Sequence, residues 1–413
     1  MPISHMRVGI HTGAPAPDGG GAYTYVTELL GALSRARHTC AHELILCVDS
    51  NSEHIAKANP EFRCLDLSRE NMELSAKRDR ALESQSLMQR VRRFVHRSRS
   101  GAEPPIEISW EDIYARERIH FLLHLAPCTG QSPGIPFATT VWDLHHRVSP
   151  WFPEVSRGRE WDQREAGYAP LRQATFIYTG TQQGREEIAS FFQIPPGRIK
   201  VLPFATPGFA LKAAGAPPAP DLLKRFDLPP DYVFYPAQFW PHKNHVLILE
   251  ACRIVRDKSG WELGAVFVGA DKGNIGHVRD YAARLGLESR TRFLGFVEQS
   301  ELIELYRGAH CLAFPTFFGP DNLPPLEAFA LGCPVVASDV PGAREQLENA
   351  AIFVSPVDEG SFADAILSLR DSDTRKRLVS AGKIRASKHT WDQYAKGVLA
   401  SLDEFSPVRR AWA

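Results

Sequence analysis

The sequence predicts an α/β protein of two doubly wound halves, each a mainly parallel sheet covered by helices on both faces. Three observations carry this. Short apolar runs alternate along the chain with segments whose apolar residues recur at helical spacing, the pattern of successive βαβ units. The alternation stops once, in an Ala-, Pro- and Gly-rich stretch, and then restarts. The chain has 413 residues, enough for two or three domains of roughly 100–150 residues, each with its own core.

Taken in order, Arg7-Val8-Gly9-Ile10-His11 is a strand that ends in the glycine-rich stretch Gly13 to Gly21. After it Tyr25, Val26, Leu29, Leu30 and Leu33 fall on one helical face. Within that turn Gly20 and Gly21 allow backbone amides to approach a phosphate closely; a flexible loop without a ligand is the alternative. Further strands are read at Leu44 to Val48, Phe121 to Leu125, Phe137 to Val141, Thr175 to Thr179 and Lys200 to Pro203. The stretch from Pro207 to Pro230 suits neither helix nor strand interiors. The first half is therefore placed at 1–210 and the linker at 211–229, and the second half at 230–390. In that second half strands are read at Tyr232 to Pro236, Leu263 to Val268, Thr291 to Leu294, Cys311 to Phe314, Pro334 to Ser338 and Ile352 to Val354. Helices are read at Leu247 to Val255, Val278 to Leu285, Leu302 to Arg307 and Phe362 to Leu369. A last helix, about 391–413, is free to pack back on either half.

Lys plus Arg and Asp plus Glu are equal at 48 each, so net charge draws neither nucleic acid nor a membrane, and no nucleic-acid partner is expected. The seven cysteines are scattered, odd in number and without a C-x-x-C pair, which argues against a disulfide framework and a zinc site and for a reducing compartment. No basic-then-apolar leader and no window near the roughly 20 apolar residues of a membrane span is present, so a cytoplasmic protein is expected. One local exception is the stretch 77–99, where Lys77, Arg78, Arg80, Arg90, Arg92, Arg93, Arg97 and Arg99 interleave with Leu82, Leu87, Val91, Phe94 and Val95. It reads either as a solvated helix face or as a basic amphipathic helix on anionic lipid, peripheral on the inner face of the membrane.

Two segments carry chemistry. In Phe317-Phe318-Gly319-Pro320-Asp321-Asn322-Leu323-Pro324-Pro325-Leu326-Glu327-Ala328, a strand gives way to a helix capped at Asn322 with prolines in its first turn. Its amides, including those of Asn322 and Leu323, are expected free at the positive end of the helix dipole, where a diphosphate sits well. Glu327, one turn in, suits two vicinal hydroxyls such as those of a ribose; the alternative is a helix cap with a solvated Glu. In Tyr235-Pro236-Ala237-Gln238-Phe239-Trp240-Pro241-His242-Lys243-Asn244, a lysine where strand passes into helix can reach a diphosphate as a compact charge. Thr140-Val141-Trp142-Asp143-Leu144-His145-His146 ends a strand of the first half, and His145 and His146 are candidate proton carriers or a surface pair. Asp371-Ser372-Asp373 has a D-x-D form but sits among basic residues and reads as a helix cap, and no metal site is expected.

The first of these segments resembles the signature of family 4 glycosyltransferases, Glu, seven residues, Glu, written E-G-F-G-L-P-x-L-E-A and followed by P-V-V, over Leu323 through Val336. The second resembles that family's G-R-x-x-x-x-K-(G/N). The resemblance implies a GT-B fold: two Rossmann-like doubly wound domains facing each other across a cleft. It also implies a retaining transfer of sugar from a nucleotide-diphosphate sugar to a saccharide or lipid-linked acceptor, with no cofactor. It places Glu327 on the ribose, and Lys243 with Asn244 and the Asn322–Leu323 turn on the diphosphate. Gln238 stands at the family's arginine. The family's first glutamate falls on Gly319, leaving Asp321 and Asn322 as the nearest groups to face the sugar. Two alternatives stay open: a non-catalytic relative that binds nucleotide sugar, and a GT-B nucleotide-sugar epimerase.

Overall fold

Parallel strands build two sheets in this computed structural model, which describes residues 5–13, 20–50, 52–70, 72, 110–128 and 134–412. The basic stretch 77–99 lies outside the described residues. The first sheet contains β1 (Arg7–His11), β2 (Glu43–Val48), β3 (Arg63–Asp66), β4 (Phe121–His124), β5 (Phe137–Thr140), β6 (Phe176–Thr179) and β7 (Ile199–Val201). The second contains β8 (Tyr232–Pro236), β9 (Gly264–Val268), β10 (Thr291–Phe293), β11 (Cys311–Phe314), β12 (Val335–Ser338) and β13 (Ala351–Val354). Their orders are β3-β2-β1-β4-β5-β6-β7 and β10-β9-β8-β11-β12-β13.

Winding reverses between β1 and β4 in one sheet and between β8 and β11 in the other. Loops part there and leave a crevice at the carboxyl ends of the strands. His11 stands beside His124 at the first reversal. Helices on both faces bury the central strands completely: β5, β6, β9, β11 and β12 have no exposed residue. This is why they read as continuous apolar runs.

β3 is a strand that the apolar pattern does not indicate. Only Leu65 of Arg63-Cys64-Leu65-Asp66 is buried, because an edge strand has a partner on one side alone. Between the halves lie a short helix, Gly208–Ala213, and a 3-10 turn, Pro220–Phe226. The last helix, Trp391–Arg409, returns to the first half. Tyr394 Oη lies 2.6 Å from Tyr25 Oη, Ser401 Oγ 2.6 Å from Tyr178 Oη, and Phe405 packs on Phe121 with ring centroids 5.3 Å apart.

The halves also meet across the crevice. The Asp321 carboxylate accepts from the Gly180 amide (3.1 Å), and Glu345 accepts from the amides of Gln182 (2.7 Å) and Gln183 (3.4 Å) at the start of the helix Gln182–Phe192. All seven cysteines are free.

Candidate active site

Lys243 closes a 3-10 turn, Pro241–Lys243, that follows β8, and Asn244 behind it adopts a left-handed conformation (φ 56°) before the helix His245–Ser259 begins. The Asn244 side chain donates to the carbonyls of Pro315 (3.1 Å) and Pro356 (2.9 Å), fastening this turn to the loops after β11 and β13. Tyr235 Oη donates to the Lys243 carbonyl at 3.1 Å. The lysine is thus held by its backbone while its side chain stays available. Burial brings its ammonium down to about 8.

Opposite, the loop after β11 is bent by Gly319, whose φ of +141° is a glycine conformation. A side chain at this position would meet Asn322 Oδ1 at 2.9 Å. Gly319 is therefore a different backbone path, and a glutamate does not fit it. The Asn322 side chain donates back to the Gly319 carbonyl at 2.7 Å and caps no helical amide. Nor is the Asn322 amide free as expected: it donates to Gln346 Oε1 (3.0 Å), while Gln346 Nε2 donates to the Asn322 carbonyl (2.9 Å). The correction arises because the helix Ala343–Leu347 packs a buried amide side chain against the loop, a long-range partner that local capping rules do not reveal.

Lys243, Asp321, Asn322 and His145 line one cavity of about 220 Å³, together with Trp142, Asp143, Glu154, Arg164, Trp240, His242, Phe318, Gly319 and Pro320. Burial raises the Asp321 carboxyl to about 8, and its Oδ1 is enclosed without a partner. The His145 ring stacks on Phe318 (centroids 4.7 Å, 9° between planes), and its amide donates to Asp143 Oδ1. Burial lowers His145 to about 3, so it is a neutral imidazole, and its Nε2 has no partner. His146 turns the other way, onto Glu165 at 2.8 Å.

Six sequence candidates, Gly20, Gly21, Gln238, Asn244, Leu323 and Glu327, are not among the lining residues. Gln238 Oε1 accepts from Trp240 Nε1 at 3.0 Å. Asn244 is engaged as described. Gly20 precedes the helix Gly21–Ala36 with φ 64°, and a Cβ at Gly21 would lie 3.9 Å from Leu323 Cδ1, so the glycine turn of the first half abuts the second motif helix, Leu323–Ala330. Glu327 is buried in that helix and accepts from Tyr306 Oη at 2.7 Å. Burial raises it to about 7 against that hydrogen bond. The solvated-Glu alternative does not hold.

Glu154, Arg164 and His242 are site residues that sequence reasoning does not reach. Glu154 is the second residue of a four-residue helix, Pro153–Ser156, and accepts from both the His242 amide (3.0 Å) and His242 Nδ1 (2.6 Å) across the crevice. Burial pushes the Glu154 carboxyl up, but the bonds from His242 outweigh it and hold it below the usual range. One ligand atom each of His145, Glu154 and His242 falls within 4.8 Å of the others. This is a donor set of the kind divalent transition metals take, but Glu154 Oε1 is already bonded to His242, and burial, followed by the Lys243 cation, brings His242 down to about 4. As arranged, the trio clasps the two halves together. Asp371, by contrast, caps the helix Ser372–Ser387 through the Thr374 amide at 2.8 Å.

Comparison with known proteins fits this geometry. Residues 224–385 match the family Glycosyl transferases group 1. The O-antigen chain mannosyltransferase B of Escherichia coli is 27% identical over 224 residues, 54% of this chain and 58% of that protein. The chain thus spans less than two thirds of the length of the curated relatives it matches. Among solved structures, the sucrose-phosphate synthase of Thermosynechococcus elongatus is similar with a TM-score of 0.67 at 18% identity, covering 98% of this chain and 100% of that one. The Anabaena protein HepE in complex with UDP-glucose is similar with a TM-score of 0.64 at 17% identity, covering 96% and 100%. The chain has the GT-B fold of two Rossmann-like halves, and its residues 224–385 carry a match to Glycosyl transferases group 1.

Proposed function

We propose that the protein is a retaining hexosyltransferase. It moves a hexose, mannose first among candidates, from a nucleotide-diphosphate sugar to a saccharide or lipid-linked acceptor in surface polysaccharide or lipopolysaccharide assembly. The observation that carries this reading is the cavity itself, where Lys243 and Asp321 of one half face His145 of the other. The similarity to an O-antigen mannosyltransferase and to a fold solved with UDP-glucose supports the choice of substrates.

In this reading Lys243 neutralises charge that grows on the departing diphosphate. Glu327 accepts from the ribose hydroxyls, releasing Tyr306 in part, and Asp321 and Asn322 meet the sugar. The anomeric C–O bond breaks and its electron pair leaves with the diphosphate. The acceptor oxygen bonds the same face, and its proton passes to a departing phosphate oxygen. Neutral His145 offers an imidazole nitrogen to the acceptor hydroxyl. Transfer proceeds without a metal, and the closed halves exclude water from the donor. The stretch 77–99 rests on anionic lipid at the inner membrane face. Among the described residues no helix is long and apolar enough to cross a membrane.

A binding and turnover screen against UDP, GDP, ADP and dTDP sugars, with and without a chelator, tests this. One donor binds and turns over with chelator present, and Glu327→Ala and Lys243→Ala each weaken it at least tenfold, about 1.4 kcal/mol. Binding indifferent to both substitutions overturns the reading. The Gly319 backbone favours one rival, a nucleotide-sugar-binding relative without activity, which binding without turnover identifies.

A further inference from the structure

The family motif supplies two cations after the first strand of the nucleotide half, and this chain has one. Gln238 occupies the arginine position, does not line the cavity and holds the Trp240 indole. The unmet charge is substantial, since a diphosphate leaving a sugar gains negative charge in a site of low dielectric.

The opposite wall carries a cation with no assigned task. Arg164 lies on the helix Glu160–Tyr168 of the first half and lines the same cavity as Lys243. Its neighbour Glu165 bolts the helix down: it is paired with Arg147 and His146, and Trp161 Nε1 donates to the His146 carbonyl at 3.1 Å. Arg164 takes no part in this. Its Nε is sealed from solvent without a hydrogen-bond partner, and among the described residues it forms no ion pair. A buried guanidinium nitrogen without a partner is costly, and it persists in native structures where a ligand completes it. On the same wall Asp143 accepts from the His145 amide, and Glu154 accepts from His242 through Oε1 while its Oε2 has no hydrogen-bond partner.

We propose that Arg164 supplies, from the acceptor-side half, the second cation missing at Gln238, donating to the diphosphate of the bound nucleotide opposite Lys243. This rests on the donor-site reading above. A guanidinium fork matches phosphate oxygens bidentately, which an ammonium does not. Because Arg164 and Lys243 stand on different halves, the charge on the leaving group is fully matched only when the crevice is closed. A donor bound to the nucleotide half alone keeps an under-neutralised diphosphate and stays intact.

Calorimetric titration of the full chain with UDP, GDP, ADP and dTDP, and with the matching monophosphates, tests the assignment on wild type, Arg164→Gln, Arg164→Lys and Lys243→Ala. The expected result is a loss of about tenfold or more in affinity for the preferred diphosphate in Arg164→Gln. Arg164→Lys should retain part of it, and the monophosphate should change by less than about threefold. Because Arg164 donates to no partner among the described residues, the melting temperature should stay at the wild-type value. Unchanged diphosphate affinity in Arg164→Gln beside a clear loss in Lys243→Ala overturns the proposal and leaves the donor site standing. No binding of any nucleotide by wild type removes both readings together.

Discussion

Lys243 and Glu327 are displaced toward each other by the same cause. Burial lowers the ammonium to about 8 and raises the carboxyl to about 7. Their charged forms are the ones the proposed donor site requires, a cation for the diphosphate and a carboxylate for the ribose. Affinity therefore climbs as pH rises through about 7, where Glu327 deprotonates, and falls as pH rises through about 8, where Lys243 loses its proton. Calorimetric dissociation constants measured across this range should trace a narrow bell, and Lys243→Ala should remove its alkaline flank. These two residues were legible in the sequence because their spacing to proline, asparagine and strand ends is local. Asp321 was legible only as the nearest carboxylate to Gly319; that it reaches Gly180 of the other half follows from tertiary structure. Glu154 and His242 lack local signals because each meets the other from 88 residues away in the chain, and Arg164 stands in no motif.

At the scale of the element, the motif loop owes its shape to Gln346. This side chain is 4% exposed and grips both the amide and the carbonyl of Asn322. Removing it strands a buried donor and acceptor at once. Gln346→Ala should cost roughly 1–3 kcal/mol, the usual penalty for an unsatisfied buried group, read as a lowered denaturant midpoint, and should weaken donor binding through a loosened loop. An unchanged midpoint would mean that water replaces the amide without cost. Strands and helices of the second half read cleanly from the sequence because each strand is covered on both faces. β3 did not, because a charged edge strand lacks the apolar run, and the Asn322 cap did not, because its partner lies 24 residues away.

For the molecule as a whole, closure rests on carboxylates presented to backbone amides: Glu154 to His242, Asp321 to Gly180, and Glu345 to Gln182 and Gln183. A Cβ at Gly180 would collide with the Asp321 carboxylate. Gly180→Ala should therefore hold the halves apart, seen as a larger radius of gyration by small-angle scattering and a donor affinity reduced toward that of the nucleotide half alone. An unaltered radius would show that the crevice closes without this contact. The returning helix Trp391–Arg409 bears on a different matter. Its Tyr394, Ser401 and Phe405 complete a core whose other members, Tyr25, Tyr178 and Phe121, leave the ribosome far earlier. The first half is thus synthesised with an open seam that stays wet until the helix Trp391–Arg409 emerges. Its folding waits on that helix, which follows the whole of the second half in the chain, so the second half is free to fold first.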